Sequence, residues 1–141
     1  MKISAKLLLI SPGNLIKNGY LEIDDNGTIQ EKGLLAEGEE PDYDGVLVPG
    51  FVNSHCHIEL SHLKGLFTKG SGMDGFIQQI NALRTNVKRE ERIAALTHEM
   101  DNLYHQGVSA MADISNCNES FAAKAASKLY TRTFLEVFGT E

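Results

Sequence analysis

The most informative stretch of the chain is Val46-Leu47-Val48-Pro49-Gly50-Phe51-Val52-Asn53-Ser54-His55-Cys56-His57. An apolar segment meets a Pro-Gly break, resumes, and ends in two histidines separated by one residue. Side chains alternate between the faces of a β-strand, so His55 and His57 would point the same way, about 6.6 Å apart. Two imidazoles at that spacing can bind one divalent cation through bonds of about 2.0–2.1 Å, with Cys56 on the opposite face. The alternative for so short a motif is a pair of histidines in a polar loop.

Composition excludes several classes of partner. The 141 residues include 13 Lys+Arg against 19 Asp+Glu, for a net charge of −6. Nucleic-acid binding relies on clustered basic residues, so this balance argues against it. The two cysteines form no CxxC pair, the apolar run at residues 7–10 is too short for a signal peptide, and no stretch could span a bilayer. We therefore expect a cytoplasmic protein with reduced thiols and neither a nucleic-acid nor a membrane partner.

The amino-terminal part of the chain has the pattern of short strands. Within residues 1–35, Asp25-Asn26-Gly27 predicts a hairpin. A three-residue loop with Gly27 in the left-handed conformation places Ile23 opposite Ile29, which keeps both on one face. Residues 46–48 would form the last strand of this part, and Pro49-Gly50 the hinge that follows.

After the histidines the apolar period becomes helical. Asp74 is expected to cap a first helix, and a second spans residues 89–106 with Gly107 as its stop. Asn118 is expected to cap a third helix. Its buried side would carry Phe121, Ala122, Ala125 and Leu129. Strands at residues 108–114 and 132–138 alternate with these helices, which predicts parallel βα units.

Residues 48–65, Val48-Pro-Gly-Phe-Val-Asn-Ser-His-Cys-His-Ile-Glu-Leu-Ser-His-Leu-Lys-Gly65, resemble the opening of the amidohydrolase superfamily. The resemblance is to its branch of cytosine deaminase-like, aminofutalosine deaminase-like and chlorohydrolase-like enzymes. Residues 107–116 and 132–139 resemble the second and third barrel strands of that family. The implied fold class is α/β, the first part of a metal-dependent (β/α)₈ TIM barrel preceded by strands of a small β-sandwich.

The resemblance also implies a division of the chain. Residues 1–48 would be the amino-terminal part of a composite β-sandwich domain, and residues 49–141 the first three βα units of an incomplete TIM barrel. A complete barrel needs about 250 residues, so we expect the chain to be an amino-terminal fragment.

In enzymes of this family both histidines of the motif bind the catalytic metal, so His55 and His57 are the expected ligands of one divalent ion. Zinc is the expected metal and iron the alternative. The catalytic acid/base and further ligands would come from later strands, so no catalytic residue is expected here. The implied reaction is deamination at a C–N bond, or a related reaction, of a small heterocyclic substrate. The alternatives are cyclic-amide hydrolysis, as in imidazolonepropionase-like relatives, and a non-catalytic remnant that self-associates as a homo-oligomer through its exposed barrel edge.

Three polar residues near the motif or at a strand end are candidates for substrate contact. Glu59 would reach the pocket mouth or lie in a surface loop, and His62 would lie at the rim or in an ordinary loop. Asp113 is near the end of the second barrel strand, where functional side chains gather, but it could equally cap the next segment. His98 and His105 lie off the apolar stripe of the second helix, so we expect them to be exposed.

Glu136 is the fourth candidate for substrate contact. Alternation along its strand places it with Phe134 and Phe138 on the face toward the barrel interior. Burying a lone carboxylate is costly, so it would serve the pocket or form an ion pair, for example with Arg132. On the opposite face, Leu135 would pack on helices.

Overall fold

A computed structural model describes residues 1–137 of this mixed α/β protein. The chain divides into two compact units, of which the first is Met1–Pro49 and the second begins at Gly50. Among the described residues, none of the helices combines the length and apolar character needed to cross a lipid bilayer.

The first unit is a single four-stranded sheet. Its strands are β1 (Lys2–Ser11), β2 (Asn14–Ile23), β3 (Ile29–Leu34) and β4 (Tyr43–Leu47). The order across the sheet is β3-β2-β1-β4, with β1 antiparallel to β2 and parallel to β4. Ala5 and Leu8 of β1 are buried at its centre. The second sheet of the expected sandwich is not formed within residues 1–49.

The hairpin between β2 and β3 confirms the predicted register. Ile23 pairs with Ile29, and Gly27 has a φ of 81°. The Asp24 N–H donates to the Thr28 carbonyl at 2.9 Å, which leaves a three-residue loop. The Asp24 carboxylate also accepts the Thr28 and Asn26 N–H groups, and these bonds lower its pKa. Local turn chemistry therefore favours this register.

The second unit alternates strands and helices. Its elements are β5 (Phe51–Cys56), a 3₁₀ helix (Ile58–Leu63), α1 (Gly72–Leu83), α2 (Arg89–His105), β6 (Val108–Ser115), α3 (Phe121–Ala126) and β7 (Tyr130–Leu135). Within residues 50–137 the strands form a parallel sheet in the order β5-β6-β7. α2 packs against the 3₁₀ helix and β6. The core of the unit comprises Ile58, Leu96, Met100, Met111 and Leu129.

The prediction for α2 is confirmed and that for the start of α1 is wrong. α2 begins at Arg89, and Gly107 follows its end with a φ of 86°. α1 begins at Gly72 with Ser71 at the N-cap position, so Asp74 lies in the first turn instead of capping the helix. A carboxylate in the first turn is still favoured by the helix dipole, so the residue type indicated the helix start but not the capping position.

The predicted buried face of the third helix is wrong, because Phe121, Ala122 and Ala125 are all exposed. α3 is only six residues long with Ser120, and not Asn118, at its N-cap. Lys124 is 6% exposed while Phe121 is 42% exposed, although Leu129, just after the helix, is buried as expected. Leu135 of β7 is 68% exposed, so no described helix covers it. Phe138 lies outside the described residues.

Candidate metal centre

The two histidines of the motif lie side by side at the carboxyl end of β5. His55 is the penultimate residue of the strand, and His57 is the N-cap of the 3₁₀ helix, with φ −127° and ψ 76°. The chain leaves the strand here, and Ile58, which follows His57 directly, is buried in the core. The ring centroids of His55 and His57 are 5.3 Å apart, and the rings are inclined by 73°. His55 is exposed and His57 is half-buried.

This separation fits a shared metal ion. With zinc–nitrogen bonds of about 2.1 Å, each imidazole centre would lie about 3.2 Å from the ion, and tetrahedral geometry would separate the two centres by about 5.2 Å. The separation of 5.3 Å in the structure agrees with that value. Among the described residues no third His, Cys, Asp or Glu joins the pair. Among residues 1–137, His55 and His57 are therefore two candidate ligands for a divalent metal ion.

Cys56 faces away from the two histidines. Its Sγ lies 3.8 Å from the Met111 sulfur and 3.6 Å from Asp113 Oδ1, against the core of the unit. Burial, reinforced by the neighbouring Asp113 carboxylate, raises the pKa of the Cys56 thiol to about 12. Because the thiolate is the form that binds metals and attacks electrophiles, this thiol is held in its inert form.

Asp113 lies with Cys56 and not with the histidines. It is fully buried, and its Oδ1 accepts the Ile58 N–H at 2.7 Å. Its Oδ2 accepts the Ser115 hydroxyl at 2.8 Å and forms an ion pair with Lys124. All of these contacts lie inside the fold. The sequence suggested that Asp113 contacts the substrate, whereas the structure gives it an internal role.

Glu59 is also buried, at 4% exposure, and not in a surface loop. Its Oε2 accepts the Asn116 N–H at 3.0 Å, the Cys117 N–H at 3.3 Å and the Cys117 thiol at 3.1 Å. Its Oε1 has no hydrogen-bond partner among the described residues, and Arg84 Nη2 lies 3.9 Å away. The carboxylate thus ties the 3₁₀ helix to the segment that leaves β6.

His62 lines a cleft of about 220 Å³ together with Glu59 and Arg84. Its Nδ1 lies 3.2 Å from the Glu59 carbonyl, and its Nε2 lies 3.2 Å from the Arg84 carbonyl. The ring therefore joins the 3₁₀ helix to the end of α1. Both ring nitrogens face backbone carbonyls, and only a nitrogen that carries a proton can donate to one of them. The structure thus brings His62 next to Glu59 with its ring held against the backbone.

Glu136 follows β7 and is half-buried. Its N–H donates to the Ser115 carbonyl at 2.9 Å. Asn116 donates from Nδ2 to the Glu136 carbonyl at 3.0 Å and to its Oε2 at 3.3 Å. Among the described residues no cation pairs with it, so the expected partner Arg132 does not fill that role.

Lys124 is the important residue that sequence reasoning missed. Its ammonium donates to Thr133 Oγ1 at 2.9 Å and to Ser115 Oγ at 3.3 Å, besides its ion pair with Asp113. The sequence does contain an indication, because Lys124 is the only charged residue in the alanine-rich segment 121–127. A lone lysine on such a small-residue face can reach the sheet beneath it.

Comparisons with known proteins place this arrangement in context. No family model matches the chain, and no curated protein matches it significantly. Among solved structures, the chain is similar to aminofutalosine deaminase from Helicobacter pylori at 23% identity and a TM-score of 0.78. That alignment covers 99% of this chain and 36% of the deaminase.

Two zinc-containing structures are also similar. Atrazine chlorohydrolase from Arthrobacter aurescens, complexed with zinc, has 11% identity and a TM-score of 0.67 over 95% of this chain and 35% of its own. An adenosine deaminase from Xanthomonas campestris with bound zinc has 16% identity and a TM-score of 0.63 over 95% of this chain and 42% of its own.

These neighbours are hydrolytic enzymes of the amidohydrolase superfamily, and the chain spans 35–42% of their length. TM-scores of 0.63–0.78 at identities of 11–23% show a shared fold and no more. With its parallel strands, intervening helices and preceding four-stranded sheet, the chain has the partial amidohydrolase fold that the sequence motif implied.

Proposed function

We propose that this chain is the amino-terminal portion of a divalent-metal amidohydrolase that displaces an amino or other leaving group from a small nitrogen heterocycle. The observation that carries the proposal is the His55–His57 pair, with ring centroids 5.3 Å apart at the carboxyl end of a parallel strand. Catalytic side chains gather at that end of the strands in TIM-barrel enzymes. The similar enzymes support the substrate class, because their names specify aminofutalosine, atrazine and adenosine as substrates.

In this proposal His55 and His57 hold the metal, and the two zinc-containing neighbours favour zinc over iron. The bound ion would supply a water of lowered pKa, about 7, and a Lewis acid that polarises the reacting carbon. His55 and His57 would orient that ion, while Cys56 stays turned into the core. The remaining ligands and the acid/base group would come from polypeptide beyond this chain. Free thiols at Cys56 and Cys117 support a reducing compartment, the cytoplasm.

Metal analysis tests the ligand assignment. We expect the full-length protein to hold about one zinc per chain, and His55→Ala and His57→Ala to lose it. His98→Ala is the matched control, because His98 is exposed on α2 and should leave the metal in place. Stoichiometric zinc retained by His55→Ala would remove His55 from the ligand set.

Product analysis distinguishes the reaction types. A deaminase releases ammonia from an amino-substituted purine, pyrimidine or triazine. A cyclic-amide hydrolase opens a ring and releases none. A panel of both substrate kinds, with ammonia and ring-opening measured separately, should show ammonia release that disappears in His57→Ala. Ring-opening without ammonia would favour the cyclic-amide alternative.

A second proposal concerns the 141-residue chain by itself, which we propose self-associates. Within residues 50–137 the outer edges of β5 and β7 are unpaired, and apolar side chains on these strands are uncovered. Val52 is 66% exposed and Leu135 is 68% exposed. Unpaired strand edges of this kind promote pairing between chains. A monodisperse, cooperatively melting monomer in sedimentation velocity would contradict this proposal.

A further inference from the structure

A buried ion pair lies directly behind the metal-binding segment. Asp113 is fully buried and Lys124 is 6% exposed, and they join β6 to α3. Asp113 Oδ1 accepts the N–H of Ile58, the residue after His57, at 2.7 Å. The same oxygen lies 3.6 Å from the thiol of Cys56, the residue between the histidines. One carboxylate oxygen therefore contacts the chain on both sides of His57.

We propose that Asp113 is a positioning residue for the metal site, which holds the backbone at Cys56 and Ile58 so that His55 and His57 are presented together. This inference rests on the proposed function, because it assumes that the two histidines bind the ion. Asp113 does not touch the metal or the substrate. It acts through the peptide that joins His57 to Ile58.

In this proposal Lys124 holds the Asp113 carboxylate in its orientation. It pairs with Asp113 Oδ2, to which Ser115 also donates at 2.8 Å. Lys124 also donates to Thr133 on β7 at 2.9 Å. These bonds hold Oδ2 in place, so Oδ1 stays aimed at the Ile58 N–H.

Stability alone does not account for this pair. Replacing a buried ion pair with apolar residues of similar volume is often neutral or stabilising, because both charges lose their hydration on burial. An apolar pair, however, could not accept the Ile58 N–H. Hydrogen bonds that orient metal ligands from behind typically change metal affinity by 10- to 100-fold when they are removed.

Two double variants of the full-length protein separate positioning from folding. Asp113→Asn with Lys124→Met removes both charges but keeps an oxygen that can accept the Ile58 N–H. Asp113→Leu with Lys124→Met removes both charges and the acceptor. Zinc affinity is measured by competition with a chromophoric chelator, and ligand geometry by the visible absorption of Co²⁺ in place of zinc.

We expect the Asn/Met variant to bind zinc within about threefold of the wild type and to keep the Co²⁺ spectrum. The Leu/Met variant should bind about 10- to 100-fold more weakly, with an altered spectrum, while its circular dichroism stays native. Wild-type affinity in the Leu/Met variant would overturn the inference, and so would an equal loss in both variants.

The outcomes also separate this inference from the proposed function. If the wild type binds no metal, or binds it as well after His55→Ala, the metal site itself is refuted. If His55→Ala abolishes binding and the Leu/Met variant does not, only the positioning role is refuted.

If the Leu/Met variant fails to fold, hydrogen exchange on the metal-free wild type tests the positioning role of Asp113 instead. The Ile58 amide should be strongly protected from exchange before metal is added. Rapid exchange at this amide would show that Asp113 does not hold it in place and would overturn the inference.

Discussion

The ion pair between Arg92 and Glu119, which both line the cleft beside His62, offers a quantitative test of the packing there. Arg92 donates from Nε to Glu119 Oε2 at 3.0 Å and from Nη2 to Oε1, and the two side chains are 20% and 16% exposed. A two-point, partly buried contact between ionised groups is worth about 1.5–3 kcal/mol. We expect Glu119→Gln to lower the free energy of unfolding by that amount.

The pH dependence of this effect has a definite sign. The hydrogen bond from Arg92 lowers the pKa of the Glu119 carboxyl. A carboxyl with a lowered folded-state pKa stabilises the protein above its unfolded pKa of about 4.3 and loses that contribution as the pH falls through the lowered value. The deficit of Glu119→Gln should therefore be constant between about pH 5 and 7 and shrink in stronger acid.

The assay is urea unfolding of the full-length protein, as a double-mutant cycle with Arg92→Met. The control pair is Lys6 with Asp44, also in contact at 3.0 Å but with side chains 62% and 84% exposed. Exposed pairs contribute about 0–1 kcal/mol, so the Arg92–Glu119 coupling should be clearly the larger. Equal coupling energies in the two cycles, or a Glu119→Gln deficit that does not change down to about pH 3, would refute the reasoning.

Three further predictions concern the second unit. Leu96→Ala should cost about 2–5 kcal/mol in urea unfolding, because Leu96 is 0% exposed, whereas Leu66→Ala at 56% exposure should cost far less; equal losses would contradict the core assignment. Gly107→Ala should cost about 1–2 kcal/mol in the same assay because of its φ of 86°, and an unchanged stability would contradict that backbone conformation. Cys56, with a pKa of about 12, should react with iodoacetamide at pH 8 far more slowly than a free thiol, since only about 1 in 10⁴ is thiolate. Mass spectrometry of the labelled peptides checks this, and labelling at the rate of an unfolded control would contradict it.

The parts of the fold that local chemistry specifies were predictable from the sequence. The Ile23–Ile29 register follows from a turn in which only Gly27 takes a positive φ. The end of α2 follows from Gly107 in the same way. In the candidate site, the juxtaposition of His55 and His57 was predicted from strand alternation, although β5 ends at Cys56 and His57 begins the 3₁₀ helix as its N-cap. Each of these features depends on residues within a few positions of one another.

The role of Asp113 was not predictable, for a physical reason. A parallel strand is covered on both faces, so its apolar pattern does not say which side faces the helices. In β6 the side that carries Met111, Asp113 and Ser115 is the buried one, although the alternate residues are more uniformly apolar. Lys124 was missed for a related reason, since a lysine on a helix is normally exposed unless a distant carboxylate pairs with it.

The shared use of His55 and His57 by one metal ion is tested most directly by anomalous diffraction at the zinc edge from crystals of the full-length protein. The predicted result is a single peak about 2.0–2.1 Å from one ring nitrogen of each histidine. A zinc peak bound by only one of the two rings, or located away from both, would contradict the account.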